Sequence, residues 1–265
     1  MKEKILVFIT AYNCRSQISR VLSQFDEVTQ GMFSEVLVID NRSTDDTLDV
    51  AISSAKLLKH VKCTIQKNCE NYGLGGSHKV GFNYAVNNNF DYCIILHGDD
   101  QGNIHDVIPF LKQGKHRQTD FLLGARFLPE SRLVGYSKFR TFGNHVFNAL
   151  YSLGIGRRIY DMGAGLNVFS VSSLKKFNYK FLADDLTFNM HLILSLQPLG
   201  VRYEYFPLTW REDDQVSNVK LFRVSKKTLS ILMRFIVNKN SFVATDHSTR
   251  SGSDYPSDIV YQNDY

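Results

Sequence analysis

Asp99 and Gln101 stand two residues apart, just after the apolar run Tyr92–Leu96 and the turn at His97-Gly98. A carboxylate and an amide carbonyl are hard oxygen donors for a divalent cation. A cation with so few protein ligands completes its shell with water and phosphate oxygens, which a nucleotide diphosphate supplies. The plainer reading is that Asp99-Asp100 caps a helix opening at Asn103. A second cluster is Asn71-Tyr72-Gly73-Leu74-Gly75-Gly76-Ser77-His78-Lys79. Its glycines permit close backbone approach, and helix N–H groups together with Lys79 suit an anion. Two further polar clusters also follow apolar runs: Thr10-Ala11-Tyr12-Asn13 and Asp40-Asn41-Arg42-Ser43-Thr44-Asp45-Asp46. Each alone could be a turn with a helix cap. Together they occupy corresponding places in successive units.

The elements between them explain that correspondence. Ile5–Thr10, Val36–Asp40, Val61–Gln66 and Tyr92–Leu96 are short apolar runs, as expected of parallel strands buried on both faces. Helical spacing joins Ile18, Val21, Leu22 and Phe25, then Leu48, Ile52, Ala55 and Leu58, then Val80, Phe82, Tyr84 and Ala85. This strand–helix alternation predicts an α/β fold with an open, mostly parallel sheet and helices on both faces. Ligands of such sheets bind outside the carboxyl ends of the strands, where the clusters lie. The first turn has no glycine, which argues against a dinucleotide fingerprint, and the GxxxxGK[ST] phosphate loop is absent. The second half is less regular. Strands are expected at Phe121–Leu123, Leu166–Val171 and Val201–Phe206, with helices over Arg140–Leu153, Leu186–Leu196 and Val224–Val237. From Ser241 onward polar residues dominate, and 241–265 reads as a poorly ordered tail behind a single domain over 1–240.

Composition sets outer bounds. The 265 residues are 43% hydrophobic and 22% charged, with 17 Gly and 5 Pro, which excludes a wholly disordered or collagen-like chain. Lys plus Arg exceed Asp plus Glu by 31 − 26 = 5, too few for a nucleic-acid stripe but compatible with a phosphate or an anionic membrane. Cys14, Cys63, Cys69 and Cys93 form no C-x-x-C pair and read as reduced thiols of a cytoplasmic protein. No stretch approaches a membrane span. The apolar face of Val224–Val237, with Lys226, Lys227 and Arg234, adds an expectation of peripheral contact with the inner face of a membrane.

The order and spacing of the motifs resemble the inverting glycosyltransferases of family 2, which have the Rossmann-like GT-A fold. The matching stretches are Val7–Asn13, Val38–Thr47, Asn71-x-Gly73-x-Gly75-Gly76 and Gly98-Asp99-Asp100-Gln101. Gly124-Ala125-Arg126-Phe127, Arg140 with Asn144, and Asp161-Met162-Gly163-Ala164-Gly165-Leu166 are most similar to the dolichyl- and polyprenyl-phosphate sugar synthases. The resemblance implies a nucleotide-diphosphate sugar as donor, Mg²⁺ or Mn²⁺ as cofactor, and a role in cell-surface polysaccharide biosynthesis. It implies that Thr10 and Tyr12 line the base and ribose pocket and that Asp40 or Asn41 bonds the base. Asp99 and Gln101 match the metal-binding part of a D-x-D-x-Q pattern whose first Asp is His97 here. Lys79 and the metal would neutralise the leaving group. Arg126 and Arg140 match arginines that hold an acceptor phosphate. Arg211, a third acceptor-binding candidate, matches an arginine that precedes a Gly-x-Ser-Lys element, replaced here by a segment ending at Lys220. Asp184-Asp185 resembles the acidic element where hydroxyl-using relatives place a general base, and a helix cap is the alternative. The acceptor is thus a polyprenyl phosphate, or a glycan or lipid-linked sugar hydroxyl with Asp185 as base. A non-catalytic carbohydrate-binding relative is the reading of another class.

Overall fold

A computed structural model describes residues 3–212, 221–250 and 254–263. In chain order the first half runs β1 (Ile5–Ala11), α1 (Arg15–Ser23), α2 (Glu27–Gln30), β2 (Glu35–Asp40), α3 (Thr47–Ala55), β3 (Lys62–Asn68), α4 (Gly73–Asn87), β4 (Tyr92–His97) and α5 (Ile108–Lys112). The second half runs β5 (Phe121–Ala125), β6 (Arg132–Val134), α6 (Lys138–Ile155), β7 (Leu166–Ser170), α7 (Val171–Leu174), α8 (Phe188–Leu196), β8 (Tyr203–Pro207), β9 (Thr209–Arg211), α9 (Leu221–Val237), α10 (Lys239–Ala244) and β10 (Ser257–Gln262). Among the described residues the main sheet has eight strands in the order β10-β3-β2-β1-β4-β7-β5-β8. β1 to β4 are mutually parallel, as are β5 and β8, while β7 runs antiparallel to both β4 and β5. β6 and β9 form a separate two-stranded ribbon.

The apolar run at the start is explained by this position. β1 is central and buried at every residue. Leu6 and Phe8 enter one hydrophobic layer, and Ile5, Val7 and Ile9 enter the other. Successive side chains point to opposite faces, so both must be apolar when helices cover both sides. The open, mostly parallel sheet expected from the sequence is the fold observed.

The tail is a correction. Where a poorly ordered segment was expected from 241, α10 buries Phe242, Tyr255 is 4% exposed, and β10 pairs antiparallel with β3 at the sheet edge. Isolated Tyr, Ile and Val among polar residues suffice for an edge strand, which has one paired side and one face to cover. No cysteine is in a disulfide. Among the described residues, no helix is long and apolar enough to cross a membrane.

Candidate active site

The loops after β1, β2 and β4 meet at the carboxyl edge of the sheet. Gly98 N–H donates to Thr10 O at 2.9 Å, and Asn41 N–H donates to Ala11 O at 2.9 Å. Asn13 takes a positive φ, and its Oδ1 accepts from Thr44 N–H at 2.8 Å. Thr10 is nearly buried at the end of β1, while Tyr12 is 49% exposed and presents its ring at the surface. Asp40 is buried and accepts from Ser43 N–H. Asn41 is a correction. Its amide donates to Asn71 and Gly73, and its oxygen accepts from Asn68 and Tyr72 N–H. With its hydrogen-bonding capacity filled by the protein, Asn41 ties two loops together rather than reading a base.

Asp99 and Asp100 part company. Asp100 adopts φ +59° and turns to the end of α1, where Arg20 bonds it at 2.6 Å and Gln24, just past the helix, at 3.1 Å. Asp99 is partly exposed and accepts from Gln101 N–H at 3.2 Å. Burial raises its carboxyl above the ordinary range, against the opposing influence of His97. Gln101 O accepts from Arg211 N–H at 3.0 Å, which joins this loop to β9. Among the described residues, no group of three His, Cys, Asp or Glu side chains could hold a metal. A cation held by one carboxylate would need substrate and water oxygens to complete its shell.

His97, in place of a carboxylate, has a partner the sequence did not signal. Its Nε2 lies 3.2 Å from Nε2 of the buried His78, and the rings stack at 5.4 Å. Burial is the chief cause that lowers both imidazoles, so one neutral ring donates to the other. His78 Nδ1 has no hydrogen-bond partner among the described residues. A side chain at Gly165 would collide with the His97 ring, its Cβ only 2.5 Å from Nδ1.

The glycine-rich start of α4 is a second correction. Gly73 takes φ +72°, and a Cβ at Gly75 would lie 2.1 Å from Ala183 O. The close approach these glycines permit is that of the protein's own Ala183–Asp185 turn. Gly76 N–H donates to Asp184 O at 3.1 Å, occupying a helix N–H that an anion would use. Lys79 is fully buried, not aimed at a diphosphate. Its Nζ bonds Leu182 O at 2.6 Å, Asp184 Oδ1 at 2.7 Å and Tyr255 Oη at 3.0 Å. Asp184 also accepts from Tyr255 Oη and from Thr249 N–H and Oγ1. Burial alone would raise its carboxyl, but these donors outweigh burial and lower it. Four donors on one carboxylate make the buried ion pair the stable form. Tyr255 and Thr249 escaped sequence reasoning because they lie in the segment taken for a tail.

Asp185 is half-exposed. It accepts from Thr187 N–H at 2.8 Å, from Thr187 Oγ1 and from Lys227 Nζ. Burial would raise its carboxyl, yet Lys227 and Thr187 prevail and lower it.

Arg126 and Arg140 share one cavity of about 280 Å³. Arg126 forms a two-pronged ion pair with Asp161 at 2.7 Å and lies over Trp210 at 5.0 Å. Its charge is felt at His97, two residues from Asp99. Arg140 pairs with Glu212 and lies over the Tyr136 ring at 4.9 Å. Phe139, Phe147, Met162, Met190 and Val224 give the remaining wall its apolar character. Asp161, Glu212 and Tyr136 are missed partners, of which only Asp161 stood in a motif. Arg211 is exposed on β9, and Lys220 lies outside the described residues.

Residues 6–177 match the profile of the family described as glycosyl transferase family 2. The chain belongs to glycosyltransferase family 2. It is 27% identical over 139 residues to a dolichol-phosphate mannosyltransferase of Pyrococcus furiosus, covering 52% of this chain and 37% of that protein. A poly(ribitol-phosphate) beta-glucosyltransferase of Bacillus spizizenii is 24% identical, with 81% of this chain and 33% of that protein covered. The chain thus spans about a third of the length of these two relatives. A dolichyl-phosphate beta-glucosyltransferase of Drosophila melanogaster is 25% identical, with 80% and 68% covered. Glucosyl-3-phosphoglycerate synthase of Mycobacterium tuberculosis, solved with uridine diphosphate, superposes with a TM-score of 0.64 at 16% identity, over 89% of this chain and 80% of that one. At that identity the likeness shows the fold, and the GT-A architecture expected of family 2 is the one present.

Proposed function

We propose that this protein transfers a sugar from a nucleotide-diphosphate sugar to a polyprenyl phosphate with inversion. One observation carries the choice of acceptor: the cavity that joins Arg126 and Arg140 to an apolar wall. Both guanidinium groups already pair with carboxylates, Arg126 with Asp161 and Arg140 with Glu212, so a phosphate would use the fork N–H groups these pairs leave over, while the apolar wall suits the first units of a lipid. Asp185 supports the same reading. A general base works best with a pKa near the working pH, and Lys227 with Thr187 moves this carboxyl the other way. A phosphate oxygen is already ionised and attacks without a base. Two relatives are named for dolichol or dolichyl phosphate.

In this reading Thr10 and Tyr12 hold the nucleoside and Asp40 fixes the loop around it. Asp99, with Gln101, holds Mg²⁺ or Mn²⁺, which when bound offsets the negative charge of the diphosphate. A solved relative in the same fold contains Mn²⁺ with UDP-glucose. Arg126 and Arg140 hold the acceptor phosphate opposite the leaving group, the placement inversion requires. Arg211 steadies the Asp99 loop through Gln101. A second reading, transfer to a hydroxyl, has the relative named for poly(ribitol phosphate) in its favour.

A thermal-shift screen of UDP-, GDP- and dTDP-sugars with each metal identifies the donor, because a ligand of the folded state raises the melting point. Incubating that donor with a short polyprenyl phosphate should give a glycosylated lipid phosphate. Donor hydrolysis or transfer to a glycan hydroxyl, with no lipid product, would overturn the acceptor assignment.

A further inference from the structure

Arg126 borders two cavities. The one it shares with Arg140 lies on one flank of α6, along Arg140, Asn144 and Phe147. A second, of about 380 Å³, lies on the next flank, along Thr141 and His145, and is closed by Arg158 and Tyr160 from the turn after the helix. Arg126 is the one residue common to the two linings. The volume is at the small end of ligand pockets, which span roughly 300–1,000 Å³. No Asp or Glu is part of this wall; Glu130 stands in the same turn as Pro129 and Ser131 but does not line it.

The groups left open in the second cavity have a definite chemistry. Arg126 commits Nε and Nη2 to Asp161, at 2.7 Å each, which leaves Nη1. Arg158 is exposed and lies 4.8 Å over the Tyr160 ring, with no carboxylate partner among the described residues. A guanidinium laid on an aromatic face keeps its edge N–H groups for an anion, and its fork matches a phosphate. The hydroxyl residues offer the opposite polarity. Ser131 Oγ donates to Ala125 O at 2.6 Å, and Thr141 Oγ1 donates to Ser137 O at 3.0 Å. With their protons held by the protein, both oxygens can only accept from a ligand. Ser131 already accepts from Leu208 N–H at 3.3 Å, so Thr141 is the freer acceptor. A phosphate ion ionised at neutral pH has little to donate to it, whereas the hydroxyls of a sugar or polyol do. Phe127 and Leu133 add apolar surface for the C–H faces of such a ligand.

We infer that this second cavity binds a phosphate ester of a sugar or polyol, with Arg158 and Arg126 on the phosphate and Thr141 accepting from a hydroxyl. The inference goes beyond the lipid-acceptor reading and does not depend on it. Two sources share this chemistry, a free sugar phosphate and a sugar joined to a prenyl diphosphate. Calorimetric titration of the full chain with glucose 6-phosphate, sorbitol 6-phosphate, inorganic phosphate and glucose tests it. One of the phosphate esters should bind more tightly than inorganic phosphate, and glucose should give no measurable heat. Arg158→Gln, an exposed change, should keep the melting point and weaken that ester about 10- to 100-fold. Thr141→Val should weaken it about 2- to 10-fold and leave inorganic phosphate unchanged, a split that a merely structural threonine would not produce. A short prenyl diphosphate glucose that binds more tightly than the ester, and loses that gain in Arg158→Gln, assigns the site to a lipid-linked sugar. An Arg158→Gln loss confined to the free ester assigns it to a soluble ligand. Esters that bind no better than glucose, or an Arg158→Gln protein that binds them as well as wild type, would overturn the inference and leave the lipid-acceptor reading standing. Ester binding that depends on Arg158 in a protein that never glycosylates a prenyl phosphate would do the reverse.

Discussion

Asp99-Asp100 and Asp184-Asp185 look alike in sequence and meet unlike surroundings. In each pair one carboxylate belongs to the scaffold. Asp100 is bonded by Arg20 of α1 and by Gln24 just after it, and Asp184 by Lys79, Tyr255 and Thr249. The remaining member differs between the pairs. Burial raises Asp99, so its ionised form is costly and a bound cation would relieve that cost. Lys227 and Thr187 lower Asp185, so its ionised form is already favoured and its basicity is weak. In the proposed mechanism this difference gives Asp99 the metal and leaves Asp185 a weak candidate for a base.

The largest expected effect tests the scaffold at the second pair. Lys79 and Asp184 are almost wholly buried, and removing one partner leaves the other as an uncompensated charge. Lys79→Met should cost about 3–5 kcal/mol of stability in urea denaturation. The pH dependence has a defined sign. Asp184 is lowered below its ordinary 3.8, so its contribution is present above that value and is lost as pH falls through the folded-state value. A Lys79→Met protein as stable as wild type, with an unchanged acid limb, would return Lys79 to the diphosphate.

Next comes the first pair. Asp99→Ala should lower transfer by about 100- to 1,000-fold, the scale of a lost electrostatic stabiliser, with little change in melting point. Asp100→Asn should do the reverse, lowering stability by about 1–3 kcal/mol through its Arg20 bond. Equal activity losses in both mutants would erase the distinction drawn between them.

How far the sequence foretold this arrangement depended on distance along the chain. β1 to β4 were legible because strands buried on both faces must be apolar throughout, and a short run records that. The position of Asp99 just after β4 was legible because its loop follows such a run directly. The Lys79–Asp184 pair was not, since its members stand 105 positions apart. A glycine-rich turn before a lysine looks the same whether the neighbour is a phosphate or another turn of the protein. That α6 turns Phe139, Phe142 and Leu153 outward was missed for a related reason. Helical periodicity records that a face is apolar, and not which side of the helix the core occupies.

A smaller effect separates the acceptor readings. With a lipid phosphate, Arg140→Ala should weaken acceptor binding by about 1.5–3 kcal/mol, the scale of a charged hydrogen bond. Asp185→Asn should then keep most of its turnover. With a hydroxyl acceptor, Asp185→Asn should lose at least about 100-fold in rate, and Arg140→Ala should matter far less. Assays of both mutants against one defined acceptor decide it.

The smallest change probes how the C-terminal segment supports the second pair. Tyr255 Oη donates to Asp184 at 2.6 Å and accepts from Lys79 at 3.0 Å, while its ring packs on Tyr72. Tyr255→Phe removes the hydroxyl and leaves the ring packing and β10 in place. Asp184 retains Lys79 and two bonds from Thr249, so the ion pair survives. The loss should be about 1–2 kcal/mol, well under that for Lys79→Met. Turnover should change little, because the hydroxyl acts on Asp184 and not on Asp185. A loss as large as that of Lys79→Met would mean that the ion pair cannot stand without the tyrosine. The segment after α10 would then be a required part of the scaffold rather than a brace on its edge.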